Sequence, residues 1–330
     1  MNNKNNIYYW ASDIRDNSGE GILANLFISD IKQYFKDFKI KNINKTSKNH
    51  HRFYNKYILN IYGAIKLWKY YFKGHKIIYI NYLPIWNFLI FLILPPKTII
   101  GPITGSLIYN KQSFLDIIIR GILLKIFVKI SLLIIFFRNK KILFSTELLK
   151  ECINKNDLNK VYFNYILKSF NGFFKKKSKR NIDFLIYYRK HNNKNNSIVN
   201  YFVDNSFYEN YKIVVIGDKL NFNNIKNIGY VKRDVVKKLL SRTKYTFGSS
   251  ENLYTLFVID AISSNVFIFF DKKLNNFNTQ INYNKMLAID FNNKKESLNI
   301  ILKNLRKVKK NKKKNSFVVK NFNSYFEQYL

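Results

Sequence analysis

A chain of 330 residues with 57 Lys+Arg against 20 Asp+Glu carries a formal charge of +37, yet 47% of it is apolar and 17% aromatic, which excludes a disordered basic tail. The cations are 48 Lys and only 9 Arg beside 47 Asn and 5 Ala, the residue set that AT-rich codons supply, so the charge alone does not specify a binding surface. The solitary Cys152 excludes an internal disulfide, and four dispersed His exclude a His/Cys metal site. The first 21 residues contain no apolar run of signal-peptide length, so a cytosolic start is expected.

Along the chain, short β-type runs alternate with helical periodicities. Strands are expected at 7–10, 76–80, 98–100 and 141–145, with helices over 21–35 and 106–137. Residues 41–56 read as a polar, basic loop. The apolar stretch 83–94 is shorter than the roughly 20 residues a bilayer span needs. The stretch 114–137 is long enough but holds Asp116, Arg120, Lys125 and Lys129, at about 2.5–3.5 kcal/mol each near a bilayer midplane. It therefore reads as an amphipathic helix, partly buried or lying on a membrane surface.

Composition shifts at the cationic segment 168–180, where a domain boundary is expected. Further strands follow at 183–188, 212–216, 225–230, 245–248 and 267–270, then a helix at 298–308 and a lysine run at 307–314. A last amphipathic helix carries Phe317, Val318, Phe322, Tyr325, Phe326 and Tyr329 on one side, which need a partner surface. This βαβ arithmetic predicts an α/β protein with two parallel sheets. The expected domains are 1–170, a linker at 171–180, a second domain at 181–315, and a terminal helix at 316–330 packing back on the first.

Open parallel sheets bind ligands at the carboxyl ends of their strands. After the first strand, Gly19 and Gly21 open a helix whose free N–H groups suit an anion, although such a pair also serves a simple turn and cap. After the strand at 183–188, Arg189 and Lys194 can converge on a diphosphate, the Arg as a fork and the Lys as a point charge. After the strand ending near Gly248, Glu251 precedes a helix bearing Asp260; both can accept hydrogen bonds from sugar hydroxyls, or serve as a helix-end charge and a solvated face. His191 reads as solvent-facing.

In order and spacing these segments resemble the nucleotide-sugar glycosyltransferases of GT-B fold, especially the retaining group of glycosyltransferase family 4. That group's G-R-x-x-x-x-K loop is resembled by Tyr188-Arg189 through Lys194, its V-G-x-G strand end by Val215-Ile216-Gly217-Asp218, and its N-I-x-x-x-G strand by residues 227–231. Its paired acidic residues ahead of "L-E-A-M-A-x-G-V-P-V" are resembled by Glu251 and by residues 259–268. In the first half, residues 18–21, 94–105 and 142–147 resemble the acceptor-domain loops. The chain departs from the pattern with Asp260 in place of Glu, nine rather than eight residues after Glu251, and with Asn252-Leu253-Tyr254-Thr255 in place of a Gly-rich tip. Either the turn is bulged by one residue or Glu251 is not the counterpart.

The resemblance implies two Rossmann-like domains facing across a cleft. It implies transfer of a sugar from a nucleotide diphosphate sugar to a glycan or lipid-linked acceptor, in cell-surface polysaccharide synthesis and with retention. Arg189, Lys194, Gly19 and Gly21 would meet the donor diphosphate, and Glu251, Asn252, Leu253 and Asp260 the sugar and ribose. No catalytic base is assigned. No Asp-x-Asp occurs, so neither a metal nor another cofactor is expected, and leaving-group charge would fall to cations and a helix start. An anionic membrane surface is the expected partner, at the cytoplasmic face of the plasma membrane, and nucleic acid is not. The competing expectations are a non-catalytic membrane-surface protein of degenerate transferase fold and, behind it, a basic nucleic-acid binder.

Overall fold

The computed structural model describes residues 6–16, 18–44, 53–80, 84–105, 118–170, 172–173, 179–190, 195–205, 211–222, 225–277, 281–306, 316–317 and 321–329. They fall into two units, Met1–Ile166 with Lys320–Leu330, and Leu167–Val319.

In the first unit, β1 (Asn6–Ala11), β2 (Lys39–Asn42), β3 (Lys76–Ile80) and β4 (Ile99–Ile100) form a parallel sheet in the order β2-β1-β3-β4. The strands β5 (Ile142–Leu143) and β6 (Val161–Tyr162) pair in parallel, and a bridge from Ile103 to Phe144 links them to the chain leaving β4. After Lys76, the run Ile77-Ile78-Tyr79-Ile80 is buried throughout because both faces of β3 are covered. Ile78 and Ile80 join Ile7, Ala11 and α1 (Gly19–Tyr34) on one side. Ile77 and Tyr79 join Trp10 and the helices α2 (Phe53–Tyr71), α3 (Phe88–Ile93) and α4 (Leu124–Arg138) on the other.

The expected loop at 41–56 is corrected at both ends. Lys41 and Asn42 belong to β2, an edge strand that alternates exposed and half-buried residues and so reads as polar, and α2 begins at Phe53. Residues 45–52 lie outside the described residues, as do 106–117 of the expected long helix. That helix is described from a π-helical turn at Ile119–Leu123 through α4. Along α4 the exposed Ile126, Leu133 and Phe137 follow an i, i+7, i+11 stripe opposite the buried Val128, Leu132 and Ile135. Among the described residues no helix is long and apolar enough to cross a membrane.

The second unit holds β7 (Ile182–Tyr188), β8 (Ile213–Gly217), β9 (Lys226–Gly229), β10 (Thr243–Phe247), β11 (Phe267–Asp271), β12 (Ile281–Asn282), β13 (Met286–Ile289) and β14 (Ser316–Phe317). Six of them form a parallel sheet in the order β13-β11-β10-β7-β8-β9. Counted along the chain this is the doubly wound 6-5-4-1-2-3 arrangement, whose direction of growth reverses between β7 and β10. The helices α5 (Ser197–Asp204) and α8 (Lys294–Arg306) bury Ile198, Phe202 and Ile301 against Phe184, Ile186 and Val215 on one face. The other two helices of this unit, α6 (Arg233–Leu240) and α7 (Leu256–Ser263), pack on each other and on β10 and β11. The expected start of α8 at 298 moves to Lys294 because Asn293 and Glu296 cap it: Asn293 Nδ2 donates to Glu296 Oε2 at 2.7 Å, and the Glu296 amide donates back to Asn293 Oδ1 at 3.4 Å.

The terminal helix expected over 316–330 is shorter. Phe317 lies in β14, antiparallel to β12 in the second unit, Val318 lies outside the described residues, and among the described residues of this segment the helix is Asn323–Glu327, as α9. This last segment belongs to the first unit, where Phe326 stacks on Tyr34 at 4.7 Å and packs against Phe27 at 5.6 Å, and the Tyr325 hydroxyl donates to the Ile100 carbonyl.

Candidate functional site

The reversal between β7 and β10 opens a crevice at the carboxyl ends of these two strands. A pocket occupies that place in the second unit. Tyr187 and Arg189 line it from β7 and its exit, Phe247, Gly248, Ser249 and Ser250 from the tip of β10, and Asn195, Asn196 and Val199 from the start of α5. Thr255 and Phe257 line it from the start of α7. Two helix N-termini therefore meet at one pocket, each with the positive end of its dipole, the Ser197 amide donating to Asn195 Oδ1 and the Val258 amide to Thr255 Oγ1. Among the described residues the charged side chain in the lining is Arg189, which is exposed, and no lining residue is acidic. Such a pocket suits a polyanion, with Tyr187 and Phe257, whose rings lie 5.5 Å apart, supplying an apolar wall.

Local bonds hold the pocket rim. The Asn196 side chain donates to the Arg189 carbonyl at 2.8 Å, and the Asn195 amide donates to Ser250 Oγ at 2.9 Å, tying the loop after β7 to the tip of β10. On the other flank the Lys190 amide and the Tyr230 hydroxyl each donate to the Asp218 carboxylate at 2.7 Å. The Tyr230 hydroxyl and then the Lys190 amide hold that carboxyl below its usual range. Asp218 follows Gly217, whose φ of +95° is left-handed; a Cβ there would come 2.3 Å from the Tyr188 carbonyl, so only glycine lets β8 pass so close to β7. Thr255 caps α7 by accepting from the Val258 amide at 3.2 Å.

The residues expected to form the site are distributed unevenly. Arg189 lies in the pocket, and Lys194, with His191, lies outside the described residues. Glu251 and Asn252 are half-buried in the loop beyond Ser250, and the Asn252 Oδ1 is buried without a hydrogen-bond partner. The Leu253 side chain is fully buried. Asp260 is buried on α7, and its two carboxylate oxygens accept from Arg233 Nε at 2.8 Å and Nη2 at 2.7 Å.

Gly19 and Gly21 lie in the first unit, after β1 and at the head of α1. Gly19 is exposed, whereas a Cβ on Gly21 would lie 2.1 Å from the Arg15 carbonyl. The missing side chain of Gly21 lets its own loop pass close by. That loop is closed around Asp13, which accepts from the Arg15 amide, Nε and Nη2 and from Ser18 Oγ, while Ser18 Oγ accepts from the Gly21 amide at 2.9 Å. Burial pushes the Asp13 carboxyl up, but the Arg15 and Ser18 hydrogen bonds outweigh it and hold the pKa below the ordinary value. A carboxyl lowered in this way stabilises the fold at neutral pH and loses that contribution as acid protonates it. Ser18→Ala is expected to cost about 1 kcal/mol, read as a shift of the urea midpoint at unchanged m-value.

The sequence reading missed Tyr187, Asn195, Asn196, Ser249, Ser250 and Thr255 as pocket residues, and Arg233 as the partner of Asp260. The Thr before an apolar helical run was an available cap signal. Nothing in residue spacing marks Arg233, which is 27 positions from Asp260. Among the described residues no group of three or more His, Cys, Asp or Glu converges as a metal site.

No family model matches the chain, and no curated protein sequence matches it. Among solved structures it is similar to Anabaena HepE in complex with UDP and glucose, with a TM-score of 0.51 at 9% identity over 91% of this chain and 90% of that one. It is also similar to a glycosyltransferase from Rickettsia africae, with a TM-score of 0.48 at 13% identity over 92% and 88% of the two chains. A third is the UDP-GlcNAc 2-epimerase of Methanocaldococcus jannaschii, with a TM-score of 0.48 at 13% identity over 94% of each chain. The likeness to HepE gives the fold, two Rossmann-like parallel-sheet units of GT-B type.

Proposed function

We propose that this chain is a glycosyltransferase that takes a sugar from a nucleotide diphosphate sugar bound in the second unit and passes it to a glycan or lipid-linked acceptor of the cell surface. One observation carries the reading: the pocket at the β7–β10 reversal joins a forked cation, Arg189, to two helix N-termini with no carboxylate among the described residues of its lining. In glycosyl transfer the bond from the anomeric carbon to the diphosphate oxygen breaks, and negative charge accumulates on the departing phosphate. Arg189 and the amides at the heads of α5 and α7 would receive that charge without a metal. The buried, unpartnered Asn252 Oδ1 would accept from a sugar hydroxyl, with Glu251 beside it, and the family resemblance adds retention at the anomeric carbon. That HepE, of the same fold, is solved with UDP and glucose supports this class of donor.

The first unit would hold the acceptor at an anionic membrane surface on its cytoplasmic side. Supporting this, the mutually packed α2, α3 and α4 expose Ile65, Leu92, Ile126, Leu133 and Phe137, with Lys125 and Lys129 exposed on α4. Release of nucleoside diphosphate from a panel of donor sugars, followed with and without chelator, tests the proposal. Turnover of one donor that survives chelator is expected; loss of all turnover on chelation would overturn the cationic account of the leaving group. A second reading, a non-catalytic protein of this fold, is favoured by the commitment of Asp260 to Arg233. It predicts nucleotide binding without turnover.

A further inference from the structure

A second cavity, of about 810 Å³, lies wholly in the first unit at the amino-terminal ends of β3 and β4, the opposite edge of the sheet from the one where parallel strands present their ligand loops. Among the described residues its lining carries Lys76, Lys97, Arg138 and Lys140 with His75, and no carboxylate. These cations are held in different ways. Arg138 donates to the carbonyls of Phe91, Leu92, Leu94 and Pro95, closing the end of α3. The Lys76 ammonium donates to the Tyr329 carbonyl at 2.7 Å and lies 5.0 and 5.3 Å from the Phe35 and Phe38 rings. Burial lowers its pKa.

Lys97 and Lys140 are exposed at the rim, and Lys97 stands at a φ of +58°, a left-handed conformation unusual for a residue other than glycine. His75 Nδ1 is buried without a hydrogen-bond partner. One aromatic ring in the lining, Phe72, is 78% exposed, and the residue before Arg138 in the chain, Phe137, is 94% exposed. A lining of ammonium and guanidinium groups, with no carboxylate among the described residues, suits a ligand rich in negative oxygen over one that also carries an ammonium. Bare aromatic rings suit the boundary between headgroups and acyl chains.

We propose that this cavity binds the phosphomonoester headgroup of an anionic membrane lipid, with Lys97 and Lys140 as the free cations, Lys76 at its floor, and Phe72 and Phe137 entering the acyl boundary. The inference rests on the membrane-surface reading of the first unit and is independent of sugar transfer. The site would fix which lipid the protein sits beside, where the helix-borne lysines supply only attraction to negative charge.

The test is co-sedimentation of the full chain with phosphatidylcholine vesicles containing phosphatidic acid or phosphatidylserine at matched surface potential. The wild type is compared with Lys97→Ala/Lys140→Ala and with Lys125→Ala/Lys129→Ala on α4. The wild type is expected to bind phosphatidic acid vesicles about tenfold more tightly than phosphatidylserine vesicles. The rim double variant should lose this preference, to within about twofold. The α4 double variant should weaken binding to both by about fivefold per lysine and keep the preference. Binding without headgroup preference, or equal behaviour of the two double variants, overturns the site and leaves the membrane reading standing. No binding to any vesicle overturns both. Displacement from phosphatidic acid vesicles by millimolar inorganic phosphate as complete as displacement by excess vesicles would make the ligand free phosphate and overturn the lipid assignment.

Discussion

Replacing Arg233 by alanine is expected to destabilise the second unit by about 3–5 kcal/mol, because it strands a buried carboxylate. The Asp260 side chain is 3% exposed and that of Arg233 17%, and the pair is bidentate, so the carboxylate loses both of its guanidinium donors at once. Such a loss is a large share of the roughly 5–15 kcal/mol that holds a domain together. Arg233→Lys keeps the charge and loses the fork, so it should fall between wild type and Arg233→Ala. Arg233→Leu/Asp260→Leu should cost less than Arg233→Ala, since nothing charged is then left buried. Urea unfolding of these variants measures all three. An Arg233→Ala cost below about 1 kcal/mol, the value of a surface pair, would contradict the buried pairing.

The second large effect is on activity. Arg189→Ala should lower donor turnover by about 10²–10³-fold, the usual consequence of removing one preorganised donor from charge that develops in a transition state. Arg189→Lys should recover part of it, because an ammonium supplies charge without the two-pronged geometry. The Arg189 side chain is exposed at the pocket, and its anchoring bonds run through its main chain, which accepts from Asn196. Unfolding midpoints of both variants should therefore match the wild type, which separates a ligand-binding role from a structural one. A turnover unchanged in Arg189→Ala would remove this residue from the reaction.

Strands buried on both faces were legible because they are uninterrupted apolar runs: residues 77–80 and Ile213–Gly217 announce themselves in this way. β2 and β13 were not, since β2 is a half-exposed edge written in Lys and Asn, and β13 is a four-residue edge strand, Met-Leu-Ala-Ile, too short for a clear period. The start of α8 could have been read from the Asn293–Glu296 spacing. Strand order could not, because nothing local says that β10 pairs with β7 rather than with β9. The same limit applies to the site. Arg189 is visible as a rare Arg leaving a strand, whereas the engagement of Asp260 depends on a residue that only the folded sheet brings beside it. At Gly21, spacing cannot tell an open approach from one taken by the loop's own carbonyl.

The central claim is that the β7–β10 crevice binds the diphosphate of a nucleotide. Calorimetric titration of the full chain with UDP, GDP, ADP, CDP and dTDP, each without metal, addresses it directly. The account predicts that one of these binds at one site per chain, that the corresponding monophosphate binds at least about tenfold more weakly for want of its second phosphate, and that Arg189→Ala abolishes the difference. Equal affinity for mono- and diphosphate, or no binding by any of the five, would contradict it.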